Sequence, residues 1–294
     1  MTKRLRIALQ KKGRLAQESI RLLSNAGLKF RIKDNALLSH VDNFPIDLLF
    51  VRDDDIPTLV FDGLCDAGMV GENVLLEAAL ARPDDKQYSI IQSLGSCRCR
   101  LSIAVPETFE YQGPGSLDGK RIATSYPRLL KQYLDARKIC AQSLVLSGSV
   151  EVAPRMGMAD VICDLVSSGQ TLEDNKLLEV DTILHSQALF IQSTKPLNKT
   201  FQDLLILLKR RFEAVSQAIE RKYIVFHAPK QALERICLQL PGAESPTILP
   251  LPADPDKVAV HVVSSEAIFW STLETIQTLG ASSILVLPIE KMLE

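Results

Sequence analysis

Hydrophobic and polar positions fall along this chain in blocks that alternate between strand and helix. Residues 5–10 (LRIALQ) form an apolar run of strand length. Leu15, Ser19, Leu22, Leu23 and Ala26 then share one helical face, and Gly27 supplies a stop. Residues 47–52 give the next strand. Asp53, Asp54 and Asp55 are placed to cap a short helix over 56–62, which Gly63 ends. A strand over 65–70, a glycine turn and a helix over 72–80 complete the block. Such alternation predicts a parallel α/β sheet.

A charged loop at 82–86 leads to two extended stretches, 88–94 and 98–105, and to a turn-rich boundary over 106–119. A second α/β block starts at Lys120. It has a strand over 121–124, Ser125 as helix cap, and Leu129, Leu130, Tyr133 and Leu134 facing inward. A strand over 143–146 follows, and Ser149 is expected to cap a helix running towards Gly157. The strand over 160–166 opens into Ser167-Ser168-Gly169-Gln170-Thr171, and 182–192 is extended again. Leu204, Leu205, Leu208, Phe212, Val215 and Ile219 mark one long helix over 198–221. The remainder predicts strand 222–227, helix 229–240, strands 247–251 and 257–264, helix 266–279 and strand 283–289. That order is β-α-β-β-α-β, the ferredoxin-like motif.

Composition narrows the function classes. At 294 residues two or three domains are expected, and 46% hydrophobic with 23% charged residues excludes disorder as the main state. Lys+Arg is 34 against Asp+Glu 35, which excludes a nucleic-acid footprint spread over the chain but leaves room for a local cationic pocket. No apolar run reaches the roughly 18–20 residues of a membrane span. The first residues run straight into a strand with no signal-peptide core, so a cytoplasmic protein is expected, with its six cysteines as reduced thiols. No His or Cys cluster has metal-ligand spacing, the four histidines are scattered, and no Ser-His-Asp or Cys-His set can be built. Covalent catalysis is not suggested.

The strongest local signal is Asp164-Leu165-Val166-Ser167-Ser168-Gly169-Gln170-Thr171. A buried strand ends in hydroxyls and a glycine where a helix begins, which suits an anion: free N–H groups point outward and glycine lets the backbone approach closely. The plainer reading is a capped strand-to-helix turn. Thr124-Ser125-Tyr126-Pro127 and Ser147-Gly148-Ser149-Val150-Glu151 resemble it, and in an open parallel sheet such turns gather at the carboxyl edge. Lys11-Lys12-Gly13-Arg14 after the first strand suits a polyphosphate or a solvated surface equally. Asp66-Ala67-Gly68-Met69-Val70-Gly71-Glu72-Asn73 carries glycines of close approach without a nucleotide-loop consensus. Arg52-Asp53-Asp54-Asp55 is explained by a helix cap more simply than by a metal.

These residues are similar to those of a known family. Ala123-Thr124-Ser125-Tyr126-Pro127, Gly148-Ser149-Val150-Glu151-Val152-Ala153-Pro154-Arg155 and the run from Ala159 through Asp164 to Gly169 resemble ATP phosphoribosyltransferase, the first enzyme of histidine biosynthesis. The stretches 10–15, 51–57 and 280–286 fit as well, the resemblance spans the chain, and the C-terminal extension resembles the long form. The resemblance implies two periplasmic-binding-protein-like lobes plus a ferredoxin-like regulatory domain. Lobe I would be 1–97 and 182–221 with a linker helix, lobe II 98–181, and the regulatory domain 222–294. It implies transfer of phosphoribosyl from phosphoribosyl pyrophosphate to ATP, with Mg²⁺ and release of pyrophosphate. Asp164, Ser167, Ser168, Gly169, Gln170 and Thr171 would hold phosphoribosyl pyrophosphate. Lys12, Arg14, Asp66, Glu72 and Arg100 would lie near ATP, with Arg98 as the alternative to Arg100. Histidine would inhibit through His227, Ser245, Thr247 and Ser283, and the family's dimers and hexamers imply a homo-oligomer. The competing classes are a small-molecule-binding protein of the same fold and a catalytically dead regulatory subunit.

Overall fold

A computed structural model describes residues 3–33, 36–83, 87–219, 221–240, 245–265 and 270–292. Parts of three expected elements, 84–86 of the charged loop, 220 of the long helix and 266–269 of the last helix, lie outside the described residues. The chain divides into two compact units, Met1–Leu205 and Ile206–Glu294.

The first unit contains two sheets, here called the first and second lobes. The first is built from β1 (Leu5–Gln10), β2 (Leu38–His40), β3 (Ile46–Val51), β4 (Ala67–Gly71), β5 (Tyr88–Ser93) and β11 (Ala188–Ser193), in the order β2-β3-β1-β4-β11-β5. Between these strands run α1 (Arg14–Asn25), α2 (Asp55–Phe61) and α3 (Glu72–Leu80). The second lobe has β6 (Cys99–Pro106), β7 (Arg121–Thr124), β8 (Gln142–Val145), β9 (Val161–Val166) and β10 (Leu177–Ser186), in the order β10-β6-β9-β7-β8. Its helices are α4 (Pro127–Arg137) and the short α5 (Gln170–Asp174). The chain leaves the first lobe after β5 and returns between β10 and β11. The two crossings meet where Ala188 N–H donates to the Ser96 carbonyl, 2.9 Å. This double crossing is the expected two-lobed arrangement.

Continuous apolar runs explain the central strands: Leu5, Ile7, Ala8 and Leu9 of β1 are fully buried between layers. Both sheets are mixed rather than parallel. β1, β3, β4 and β5 run one way, while β2 and β11 run against them, and in the second lobe β6 runs against β9, β7, β8 and β10. The expected single stretch over 182–192 is two strands in different sheets, divided at Gln187. The expected caps also differ. Asp54 stands at the start of α2 without a side-chain cap bond. The Ser125 hydroxyl turns to the Leu146 carbonyl at 2.7 Å, and Ser149 precedes only a 3₁₀ turn, Val150–Val152.

α6 (Lys199–Ile219) spans the division between the units. The second unit continues with β12 (Arg221–Pro229), a 3₁₀ turn and α7 (Leu233–Cys237), β13 (Thr247–Pro250), β14 (Lys257–Ser265), α8 (Trp270–Thr278) and β15 (Ser282–Pro288). The antiparallel order β13-β14-β12-β15 is that of a β-α-β-β-α-β ferredoxin-like unit. Ile224, Phe226, Val258, Val260 and Val262 alternate onto one face and pack with Ile236 and Ile276 of the helices.

Among the described residues no helix is long and apolar enough to cross a membrane. All six cysteines are free. Burial pushes the thiols of Cys65 and Cys163 up to about 11 and about 12, so neither is a thiolate nucleophile near neutral pH.

Candidate functional site

In the second lobe β9, β7 and β8 are parallel neighbours, so the turns after them gather at one carboxyl edge. The turns after β8 and β9 are both exposed. Ser167, Ser168, Gln170 and Thr171 are exposed, and Gly169 sits at φ +92°, a left-handed conformation in which a side chain would be strained. The Gln170 N–H leans on the Ser168 hydroxyl at 3.4 Å, a weak local turn bond. The Asp164 carboxylate lies below the loop. It accepts the Leu165 N–H at 2.8 Å. Burial raises its pKa, the Glu151 charge adds to the rise, and the Leu165 bond opposes it.

The first lobe faces this loop with the turn after β1. Gly13 at φ +101° lets Lys11, Lys12 and Arg14 project from a tight corner. Arg14 crosses the lobes: its guanidinium donates to the Ser167 hydroxyl at 2.7 Å and to the Arg98 carbonyl at 3.0 Å. Arg100 is held differently. Both ends of its guanidinium are gripped by Glu179 of β10, which also accepts the Ser102 hydroxyl at 2.8 Å. That pairing lowers the Glu179 pKa and raises that of Arg100. Arg100 thus braces the loop from behind, with a long contact of 3.4 Å to the Ser167 carbonyl, while Arg98 is exposed.

The stretch from Asp66 to Asn73 is divided by the fold. Glu72 begins α3 at the cleft edge, but Asp66 precedes β4 at the other end of the strand. There its carboxylate accepts the Arg6 N–H at 2.8 Å, beside the start of β1. Five residues of strand, on the order of 15–20 Å, separate the two acids. The grouping of Asp66 with Lys12 and Arg14 is therefore corrected. Gly68 also has a different use: a Cβ there would meet Ile56 at 2.9 Å and Val60 at 3.1 Å, so it permits α2 to approach the sheet and not a ligand.

Several residues that sequence patterning did not single out join the lobes. Asn73 Nδ2 donates to the Tyr126 hydroxyl at 2.8 Å, and Ser186 bonds both the main chain and side chain of Asn73. The Glu77 carboxylate accepts the N–H groups of Arg128 and Leu129, each at 2.9 Å. Burial pushes the Tyr126 hydroxyl far above its ordinary pKa, so it remains a neutral phenol.

Among the described residues no group of three His, Cys, Asp or Glu side chains is placed to hold a metal. Asp164 with Glu151 nearby suits only a hard cation that takes most ligands from water and substrate oxygens, which is how Mg²⁺ commonly binds.

In the second unit His227 lies on β12 and Ser283, at φ +52°, on its neighbour β15. Thr247 starts β13, Ser245 lies two residues before it, and β14 stands between β13 and β12. The structure thus puts these residues on or next to one sheet but divides them between two sides of it.

Fold and site together define a two-lobed α/β protein with an exposed loop of hydroxyls and glycine at the end of a buried strand. The ATP phosphoribosyltransferase profile matches residues 52–214, and the profile of the C-terminal domain of that family matches 218–291. The chain belongs to the ATP phosphoribosyltransferase family, the phosphoribosyltransferases of the first step of histidine biosynthesis. It is similar to the ATP phosphoribosyl transferase (HisG:HisZ) complex from Thermotoga maritima at 27% identity and a TM-score of 0.59, covering 71% of this chain and 98% of that one. It is more distantly similar to the alkanesulfonate-binding protein of Xanthomonas axonopodis pv. citri, at 16% identity and a TM-score of 0.46, covering 94% of this chain and 90% of that one. The second likeness has no bearing on activity.

Proposed function

We propose that this chain transfers the phosphoribosyl group of phosphoribosyl pyrophosphate to N1 of the adenine ring of ATP, releasing pyrophosphate. The observation that carries this reading is Arg14 of one lobe donating to Ser167 in the exposed loop of the other, three residues after the half-buried Asp164. The amides and hydroxyls of Ser167, Ser168, Gly169, Gln170 and Thr171 hold the 5′-phosphate, and Asp164 accepts hydrogen bonds from the ribose hydroxyls. Lys12, Arg14, Glu72 and the Arg98/Arg100 pair line the ATP side.

Positive charge grows on the ribose ring as the C–O bond to pyrophosphate breaks, and negative charge leaves with the diphosphate. Such a step needs alignment and electrostatic support rather than a protein nucleophile. Arg14 and Lys12 supply cations where the diphosphate charge develops. Bound Mg²⁺ would neutralise the diphosphate oxygens.

The ferredoxin-like unit holds histidine, through His227, Ser245, Thr247 and Ser283, as a feedback inhibitor that does not compete for the cleft. The protein works as a cytoplasmic homo-oligomer, a dimer or hexamer; the HisG:HisZ complex named for the Thermotoga relative supports oligomeric assembly as such. Incubation with ATP, phosphoribosyl pyrophosphate, Mg²⁺ and a pyrophosphatase should yield phosphoribosyl-ATP, sensitive to histidine. A variant lacking 223–294 should keep no histidine response. Absence of product under all conditions would transfer the assignment to a binding protein of the same fold.

A further inference from the structure

α3 is apolar on more than one side, and the structure shows why. Val74, Leu75, Ala78 and Ala79 pack on the core of the first lobe, while Leu76 and Leu80 pack on that of the second. A third stripe, Asn73 and Glu77, is one helical turn long and faces the start of α4. α4 lacks a cap of its own: Tyr126 gives no side-chain cap bond, Pro127 has no N–H, and the Ser125 hydroxyl is occupied elsewhere. Its first two free amides, on Arg128 and Leu129, both donate to Glu77, whose side chain is only 12% exposed. A carboxylate of one lobe thus caps a helix of the other. The helix dipole and two charge-assisted bonds favour this position.

We propose that Glu77 is a positioning residue for phosphoribosyl transfer, fixing the second lobe against the first by capping α4 from α3. This rests on the function proposed above. α3 starts at Glu72 on the cleft edge of the first lobe. α4 follows the turn after β7, and β7 pairs with β9, the strand bearing the phosphate loop. Asn73 extends the lock, because it ties Tyr126 of the second lobe to Ser186 at the crossing. The Glu77 cap therefore sets the distance between the two cleft edges. The residues of the phosphate loop all belong to the second lobe, so apart from the Arg14 contact to Ser167 they keep their arrangement.

The test is Glu77→Gln in the full chain. The two N–H groups go to different carboxylate oxygens, whereas an amide offers a single acceptor oxygen and carries no charge. We expect kcat to fall tenfold or more while KM for phosphoribosyl pyrophosphate stays within about threefold. Amide exchange at Arg128 and Leu129 should accelerate at least tenfold, with Leu130, Tyr133 and Leu134 still protected. Arg128→Ala removes only an exposed guanidinium contact and should stay within twofold of wild type. If Glu77→Gln does not fold, Glu77→Asp, which keeps the charge on a shorter stem, should give a partial loss in both readouts. Wild-type kcat in the folded variant, a kcat loss without faster exchange, or an Arg128→Ala variant that matches Glu77→Gln would each overturn the proposal. A wild-type protein that makes no phosphoribosyl-ATP would remove the proposed function, while the exchange experiment would still decide whether the cap locks the lobes.

Discussion

At the end of β9 the second lobe offers main-chain amides, hydroxyls and a half-buried carboxylate. At the end of β1 the first lobe offers Lys11, Lys12 and Arg14, all exposed. The second arrangement is charge carried on long exposed side chains, largely screened by solvent. The first is fixed by the backbone before any ligand arrives, and it includes a group whose burial opposes its own ionisation. Preorganised dipoles discriminate by geometry, whereas exposed cations contribute attraction and steering. The division suits a substrate whose sugar phosphate must be held in one pose while a diphosphate is steered and then released.

The sharpest way to break this comparison is Asp164→Asn. Loss of a charge-assisted bond worth about 1.5–3 kcal/mol should raise KM for phosphoribosyl pyrophosphate roughly 10–100-fold. Stability should move in the opposite direction. Burial raises the Asp164 pKa in the folded protein, so its favourable contribution is present below the ordinary carboxylate pKa and is lost as pH rises through the folded value. At neutral pH the carboxylate therefore costs stability, and the ligand-free Asn variant should melt higher than wild type. Near pH 3.5 that advantage should vanish. A melting series over pH checks the sign, and a variant that binds normally would end the proposed role of Asp164.

The lobe I edge should respond less and in a salt-dependent way. Arg14→Ala removes one charge-assisted contact to the loop and should lower kcat/KM about tenfold at low salt. Because the guanidinium is exposed, raising the ionic strength should shrink the difference between variant and wild type. A defect that stays constant from 50 mM to 500 mM salt would place Arg14 with the rigid elements instead.

How legible these features were differs between short and long range. β1 and α3 match the apolar patterning to the residue, and the exposed loop after β9 was visible as hydroxyls and glycine following a buried strand. Those signals are local. The caps were misread because the groups that compete for them come from afar. Ser125 is drawn to Leu146, and α4 receives Glu77 from the other lobe, so hydroxyl-before-helix spacing points to the wrong acceptor. The break at Gln187 was hidden for a related reason: two strands of similar composition run on without a turn signal, and only sheet pairing separates them. Glu179 likewise gave no sign of its grip on Arg100, since cross-strand partners lie far apart in sequence.

The smallest effect is expected at Asp66, and it tests how far sequence proximity can mislead. Asp66 and Glu72 belong to one glycine-bearing stretch, yet β4 carries them to opposite edges of the sheet. The Asp66 carboxylate is engaged with the Arg6 N–H, where it steadies the start of β1. Asp66→Ala should therefore leave KM for ATP and kcat within about twofold. It should cost at most about 1 kcal/mol of stability through the lost backbone contact, or a fall of a few degrees in Tm. Glu72→Ala, at the cleft edge, should raise KM for ATP more than Asp66→Ala does. If the order were reversed, the lobe I substrate surface would have to include the amino edge of the sheet, and the contrast between the two carboxyl edges would no longer describe how this protein divides its work.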